Sequence, residues 1–313
     1  MNKFLIKISL FIIIVALIVN FSMFYYMFNE KDNWSIHSHE KNYVLSYNRL
    51  KALQDTDKIV IISGSNGGFS LNSEMISEAF HMPVVNTSTH AGIGVRMQFE
   101  TYKDLLKKGD VIVFIPEYDD NNSRLYGNST LLRIIGTHMP SSYEKISAKQ
   151  WLHLYKYIGI HCKECYSHRK TDNFENSPYS EKALNRFGDI DFKREHQDSI
   201  KLYNLCGKMD SELIEYYKYV HTYLYSIGAK CIFLPPTLIE SCYNKNKEQI
   251  DSVVISLSYS GIPYYASPIR YVFPDSLYFD TPYHMTPSGA KLRTKKVIED
   301  MHKFLNRSHS QKE

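Results

Sequence analysis

The sequence predicts an α/β domain built on a parallel sheet of about five strands, with a mostly helical insertion and one N-terminal transmembrane helix. Three observations carry this prediction. Short β-branched runs alternate with helix-length segments, a stretch of about 90 residues interrupts that alternation, and a 21-residue uncharged segment lies near the start of the chain. The composition agrees: of 313 residues, 43% are hydrophobic and 22% charged, which excludes a collagen-like, low-complexity or largely disordered chain. Lys and Arg total 37 against 33 Asp and Glu, a net charge of +4 without a basic cluster, so nothing points to nucleic acid. The 25 Tyr suit stacking on sugars, and Tyr is equally a good half-buried residue.

From Ile8 to Phe28 the only polar side chains are Ser9, Asn20 and Ser22. A helix rises ~1.5 Å per residue, so this segment spans the ~30 Å hydrocarbon core of a bilayer. Lys3 and Lys7 precede it, which places the N-terminus in the cytoplasm and the main domain outside. The exit Met23-Phe24-Tyr25-Tyr26-Met27-Phe28 lacks an Ala-x-Ala signal, which favours a retained signal anchor over a cleaved signal peptide. Residues 1–28 are thus read as cytoplasmic tip and anchor, 29–56 as a polar connector, 57–306 as the main domain and 307–313 as a polar tail.

Strands are expected at 58–63, 82–86, 110–115, 230–234 and, more weakly, 262–266; helices at 72–80, 94–107, 210–227, 244–258 and from Pro287 to about Asn306. Continuous apolar strands separated by helices imply a parallel sheet covered on both faces. Residues 119–208 fall outside this rhythm, and long ordered insertions tend to be lids or binding elements. This insertion carries Cys162 and Cys165 in His-Cys-Lys-Glu-Cys-Tyr-Ser-His, a segment that could hold zinc, form a CxxC disulfide or keep plain thiols. Four ligands from so short a segment are cramped, so a disulfide or thiols is preferred and no metal is expected.

In an open parallel sheet the working site lies beyond the carboxyl ends of the strands. After the first strand comes Ser63-Gly64-Ser65-Asn66-Gly67-Gly68-Phe69-Ser70-Leu71-Asn72, a turn able to present a serine hydroxyl; no Gly-Lys-Ser/Thr follows, so it is not a phosphate-binding P-loop. Serine needs a base, and the base an orienting group. Near the other end stands Phe279-Asp280-Thr281-Pro282-Tyr283-His284-Met285-Thr286-Pro287, where Thr286 and Pro287 mark a helix start. Asp280 and His284 therefore share the loop before the last helix and can both turn toward Ser65.

These blocks resemble the SGNH (GDSL-like) hydrolases, and more narrowly a membrane-anchored branch found with cell-surface polysaccharide and teichoic-acid acyl-transfer systems. Ser63-Gly64-Ser65-Asn66 with Ser70-Leu71-Asn72 matches the first block of that branch, and Phe279-Asp280 through Gly289 with Arg293-Thr294 the last. Val85-Asn86-Thr87-Ser88-Thr89-His90-Ala91-Gly92 and Pro116-Glu117-Tyr118 echo intermediate blocks, and Asn185-Arg186-Phe187-Gly188-Asp189 is a fainter echo. The resemblance covers about 57–118 and 228–300. It implies a flavodoxin-like three-layer sandwich, Ser65 as nucleophile, His284 as base, Asp280 as its orienting carboxylate, and no cofactor. It also implies an acylated or acyl-accepting envelope glycan as substrate, acetyl being the expected acyl group, and a membrane-bound O-acyltransferase as a partner.

The wider family draws oxyanion donors from a Gly after the second strand and an Asn after the third; Ser88 and Glu117 stand at those places. The backbone amides of Ser65 and Ser88 are the expected replacements, with Asn66, Glu117, Tyr118 and His90 as candidate substrate contacts. His90 is equally a packed loop residue. An alternative registration puts Asn66 at the nucleophile position and makes the domain inactive. Two functions follow: a serine esterase or O-acyltransferase on an envelope glycan, or a non-catalytic accessory that binds glycan or a membrane acyltransferase.

Overall fold

The computed structural model describes residues 2–29, 35–118, 122–168 and 174–310. The chain opens with α1 (Asn2–Asn29), and its segment Lys3–Tyr26 is long and apolar enough to cross a membrane. The stretch expected as a connector contains α2 (Asn42–Ala52), whose Tyr43 and Leu50 are buried in the main core. Its polarity is deceptive. Asn42 and Ser46 are fully buried, and both donate to Asn86 O.

Strand β1 (Ile59–Ser63) is buried at every position, as its β-branched run requires. It feeds α3 (Ser65–Ser70) and α4 (Ser73–Phe80), the latter capped by Asn72, whose Oδ1 accepts from Met75 N at 2.9 Å. Then come β2 (Val84–Asn86), α5 (Val95–Glu100) and β3 (Val111–Ile115). The insertion supplies α6 (Asn122–Tyr126), α7 (Ser129–His138) and α8 (Ala148–His168), then a mostly irregular segment from 174 to 210. It leads into α9 (Ser211–Ser226), which precedes β4 (Lys230–Phe233). Next are β5 (Leu238–Ile239), α10 (Glu240–Lys245), α11 (Lys247–Tyr259), β6 (Val272–Phe273) and α12 (Pro287–Ser310).

The sheet is parallel in the order β2-β1-β3-β4, with Ile59 opposite both Val84 and Val111, and Val111 opposite Lys230. This sheet has four strands, not five, among the described residues. The stretch 262–266 does not form a strand: Pro263 has no amide to donate and Gly261 turns the chain at φ +77°, so only Tyr265 N reaches Phe233 O, at 2.8 Å. A separate pair, β5 and β6, stands apart from the main sheet. At the amino end of the sheet Lys58 and Asp110 form an ion pair at 2.8 Å, with neither side chain exposed. The opposite end carries the cleft.

Candidate active site

Ser65 is the first residue of α3, directly beyond β1. The turn is crowded: a Cβ at Gly64 would sit 2.5 Å from Glu117 Oε1, and one at Gly67 would overlap Ser88 Oγ. A side chain at either place would force these neighbours to shift. The loop before α12 is equally constrained. Phe279 N donates to His284 O at 2.8 Å, His284 N donates to Thr281 Oγ1 at 3.1 Å, and Gly289 N donates to Thr286 Oγ1 at 3.3 Å at the start of the helix.

The two segments meet. His284 Nε2 lies 2.9 Å from Ser65 Oγ, and His284 Nδ1 lies 3.0 Å from Asp280 Oδ1. Three side chains from opposite ends of the chain thus form one hydrogen-bonded row at the carboxyl end of the sheet. Phe69, at the end of α3, stacks on the His284 ring at 4.0 Å between centroids and 10° between planes, which fixes the imidazole's tilt.

The insertion supplies a fourth member that the sequence did not disclose. The Tyr179 hydroxyl donates to Asp280 Oδ2 and lies 3.2 Å from His284 Nδ1. Burial pushes the Asp280 carboxyl up, but the hydrogen bond and charge of His284 and the bond from Tyr179 outweigh it, and the group is held below its ordinary value. Burial and the Asp280 charge raise Tyr179, so it stays a donor. The loop carrying Tyr179 is clipped by the strip just after α1: His39 N donates to Tyr179 O at 2.7 Å, and Ser38 pairs with Ser180 in a β-bridge.

Arg194, also in the insertion, ties the elements together. Its guanidinium donates to Met285 O, Phe69 O and Ile190 O at 2.7, 2.8 and 2.7 Å. The Asn185–Asp189 echo does similar work. Asp189 accepts from Ser73 N, Ser73 Oγ and Asn86 Nδ2 at 2.7, 2.6 and 2.8 Å.

Ser65 and His284 face a cleft of about 520 Å³, also lined by His39, His90, Glu117, Arg124, Tyr179 and Tyr203. Of the expected contacts, Glu117 and His90 line it. Burial holds the His90 imidazole down to about 4, so it is neutral, and its Nδ1 accepts from Gly92 N at 2.9 Å. Three expected contacts lie elsewhere. Asn66 turns into the core, where its Oδ1 accepts from Arg293 Nη1 at 2.9 Å, and His284 meets Ser65 instead, which disfavours the alternative registration. Tyr118 is buried away from the cleft, its amide donating to Tyr283 Oη at 3.2 Å. Ser88 is buried and does not line the cleft, and its amide donates to Asn86 Oδ1 at 3.1 Å.

Glu117 accepts from Asn66 N at 3.3 Å and pairs with Arg124 at 3.2 Å. A carboxylate and a guanidinium therefore stand where an amide was expected. Sequence reasoning missed Arg124 because it lies in the insertion, beyond any strand end.

No known family, curated protein or solved structure matches the chain. Among the described residues, no three of His, Cys, Asp and Glu converge in a way that could hold a metal ion. Cys162 and Cys165 are thiols on α8, not joined in a disulfide, with Cys165 Sγ 3.7 Å from His161 Nδ1; the side chain of His168, the outer residue of the zinc reading, lies outside the described residues.

Proposed function

We propose that the protein is a serine esterase or O-acyltransferase, anchored by α1 with its N-terminus in the cytoplasm and its domain on the outer side. The observation that carries this reading is the row Ser65 Oγ–His284 Nε2 at 2.9 Å and His284 Nδ1–Asp280 Oδ1 at 3.0 Å, opening on a cleft. Ser65 Oγ attacks the acyl carbonyl carbon while its proton passes to His284 Nε2. Nδ1–H of His284 donates to Asp280, which fixes the tautomer and balances the imidazolium. Collapse of the tetrahedral intermediate breaks the ester bond, and the departing alkoxide takes the proton from Nε2. Water or a sugar hydroxyl then attacks the acyl-serine by the reverse route.

The Ser65 amide opens α3, where a first-turn N–H has no intrahelical acceptor, and it serves the oxyanion. Arg124, held at the cleft by Glu117, supplies positive charge there in place of the family's amide. The resemblance to SGNH hydrolases of envelope acyl-transfer systems supports an acylated or acyl-accepting glycan as substrate, acetyl as the acyl group and a membrane-bound O-acyltransferase as partner. The cleft's tyrosines, Tyr179, Tyr203 and Tyr283, suit a sugar.

A fluorophosphonate probe applied to the full-length protein tests the reading. Covalent labelling that is lost in Ser65→Ala supports it; no labelling of the native chain, or equal labelling of Ser65→Ala, overturns it. The second reading is a glycan-binding accessory without turnover. The engaged Ser88 amide and the carboxylate at position 117 favour it, because losing one oxyanion donor costs about 3 kcal/mol of barrier. Glycan binding with no ester turnover between pH 5 and 9 would support that alternative.

A further inference from the structure

Helix α8 packs on α1 at an informative place. The Tyr155 hydroxyl donates to Asn20 Oδ1, Cys162 Sγ lies 3.7 Å from Met23 O, and a Cβ at Gly159 would lie 3.3 Å from Met23 Cε. Asn20 lies inside the apolar stretch Lys3–Tyr26, six residues before its end, which is ~9 Å along a helix. Whatever is hydrogen-bonded to Asn20 is therefore drawn to that depth.

The outward face of α8 matches this position. Leu152, Tyr155 and Ile160 are 81%, 54% and 47% exposed, and the exposed charges on the helix are Lys149, which pairs with Glu212 of α9, and Lys156 and Lys163. The helix has one acid, Glu164, which is turned inward to accept from Ser129 Oγ at 3.1 Å. Exposed Leu and Ile, tyrosine, and lysines with long apolar stems are the residues that settle at a lipid headgroup boundary, and cations without acids complement anionic phosphates.

We infer that α8 lies in the outer leaflet's headgroup region, with Leu152, Tyr155 and Ile160 against acyl chains and Lys156 and Lys163 among anionic phosphates. This rests on the reading of α1 as a membrane anchor. The cleft stays close to the lipid surface: Asn128 lines it, the next residue holds Glu164, and Glu164 is nine residues along α8 from Tyr155, ~14 Å.

The test reconstitutes the native full-length chain in phosphatidylglycerol–phosphatidylcholine vesicles containing a phospholipid with a diazirine on its acyl chain. After irradiation, trypsin cuts at Lys149, Lys156 and Lys163 and isolates peptides 150–156 and 157–163. The expected result is adducts on both peptides and on α1. None is expected on the peptide carrying Tyr225, which is 81% exposed but ends α9 at the sheet end opposite the cleft. Charging the exposed face with Leu152→Glu and Ile160→Glu together is expected to cut α8 adducts at least fivefold and leave those on α1 unchanged. Adducts on α1 alone overturn the inference while the anchor stands; adducts on neither overturn the anchor with it. Equal adducts on the Tyr225 peptide, or α8 adducts insensitive to the double substitution, also overturn it.

Discussion

Tyr179 donates its hydroxyl hydrogen to Asp280 Oδ2, so a residue of the insertion holds the carboxylate that in turn holds His284. Replacing Tyr179 by Phe keeps the ring and removes that donor. A hydrogen bond to a charged group contributes about 1.5–3 kcal/mol, so labelling by the fluorophosphonate probe is expected to slow at least tenfold. The bond is one of the interactions that hold Asp280 below its ordinary value, so without it Asp280 takes up a proton at higher pH. The loss at pH 5 is therefore expected to exceed the loss at pH 8. An equal loss at both values would reduce Tyr179 to a packing role.

Arg293 lies fully buried beneath the turn that carries Ser65, with Nη1 on Asn66 Oδ1, while its Nε and Nη2 have no hydrogen-bond partner among the described residues. A buried cation left partly unsatisfied contributes little to stability. Arg293→Met is accordingly expected to leave the Tm within a few degrees, yet to free the Asn66 side chain and lower the labelling rate about tenfold. Calorimetry beside probe kinetics separates the two effects.

Gly67 faces Ser88 so closely that a methyl group would overlap Ser88 Oγ and stand 2.8 Å from Ser63 Cβ. Gly67→Ala is expected to destabilise the domain by about 1–3 kcal/mol through overpacking. Adding Ser88→Gly removes the nearer obstacle and should recover part of the loss in a denaturant titration; no recovery would place the strain at Ser63 alone.

His90 carries a pH prediction. Its folded value of about 4 lies below the ordinary value of 6.5, so between the two the unfolded chain binds a proton that the folded chain refuses. Stability is then unaffected above about 6.5 and falls as pH drops through this window, by up to about 3 kcal/mol for this one group. His138, also held at about 4 by burial, adds to the same trend. His90→Asn, whose amide oxygen can accept from Gly92 N, should flatten the fall in Tm between pH 7 and 4.5 without abolishing it.

The legible parts of the chain were those where local spacing fixes geometry. Thr286-Pro287 starts a helix, so Asp280 and His284 had to share one loop, and the glycines after β1 had to form the turn that presents Ser65. Tyr179 was not legible. It lies 105 residues from His284, in a segment without periodicity, and only tertiary packing brings it there. The strip 35–52 misleads for a different reason. Its polar side chains are inside because they satisfy backbone groups at the end of β2, as Asn42 does for Asn86 O and Ser88 O, and hydropathy cannot tell such a residue from a solvated one. The fifth strand failed at Pro263, where an apolar run met a residue that cannot donate to a ladder.

The clip between the strip after α1 and the Tyr179 loop has a practical consequence. A soluble version of this chain has to be cut ahead of Ser35. Trimming to residue 56 would take away the Glu40 carboxylate that Arg133 grips in the interior and the amide that Asn42 lends to the end of β2. Aggregation or inertness of such a fragment would report the missing buttress and leave the chemistry at Ser65 untouched.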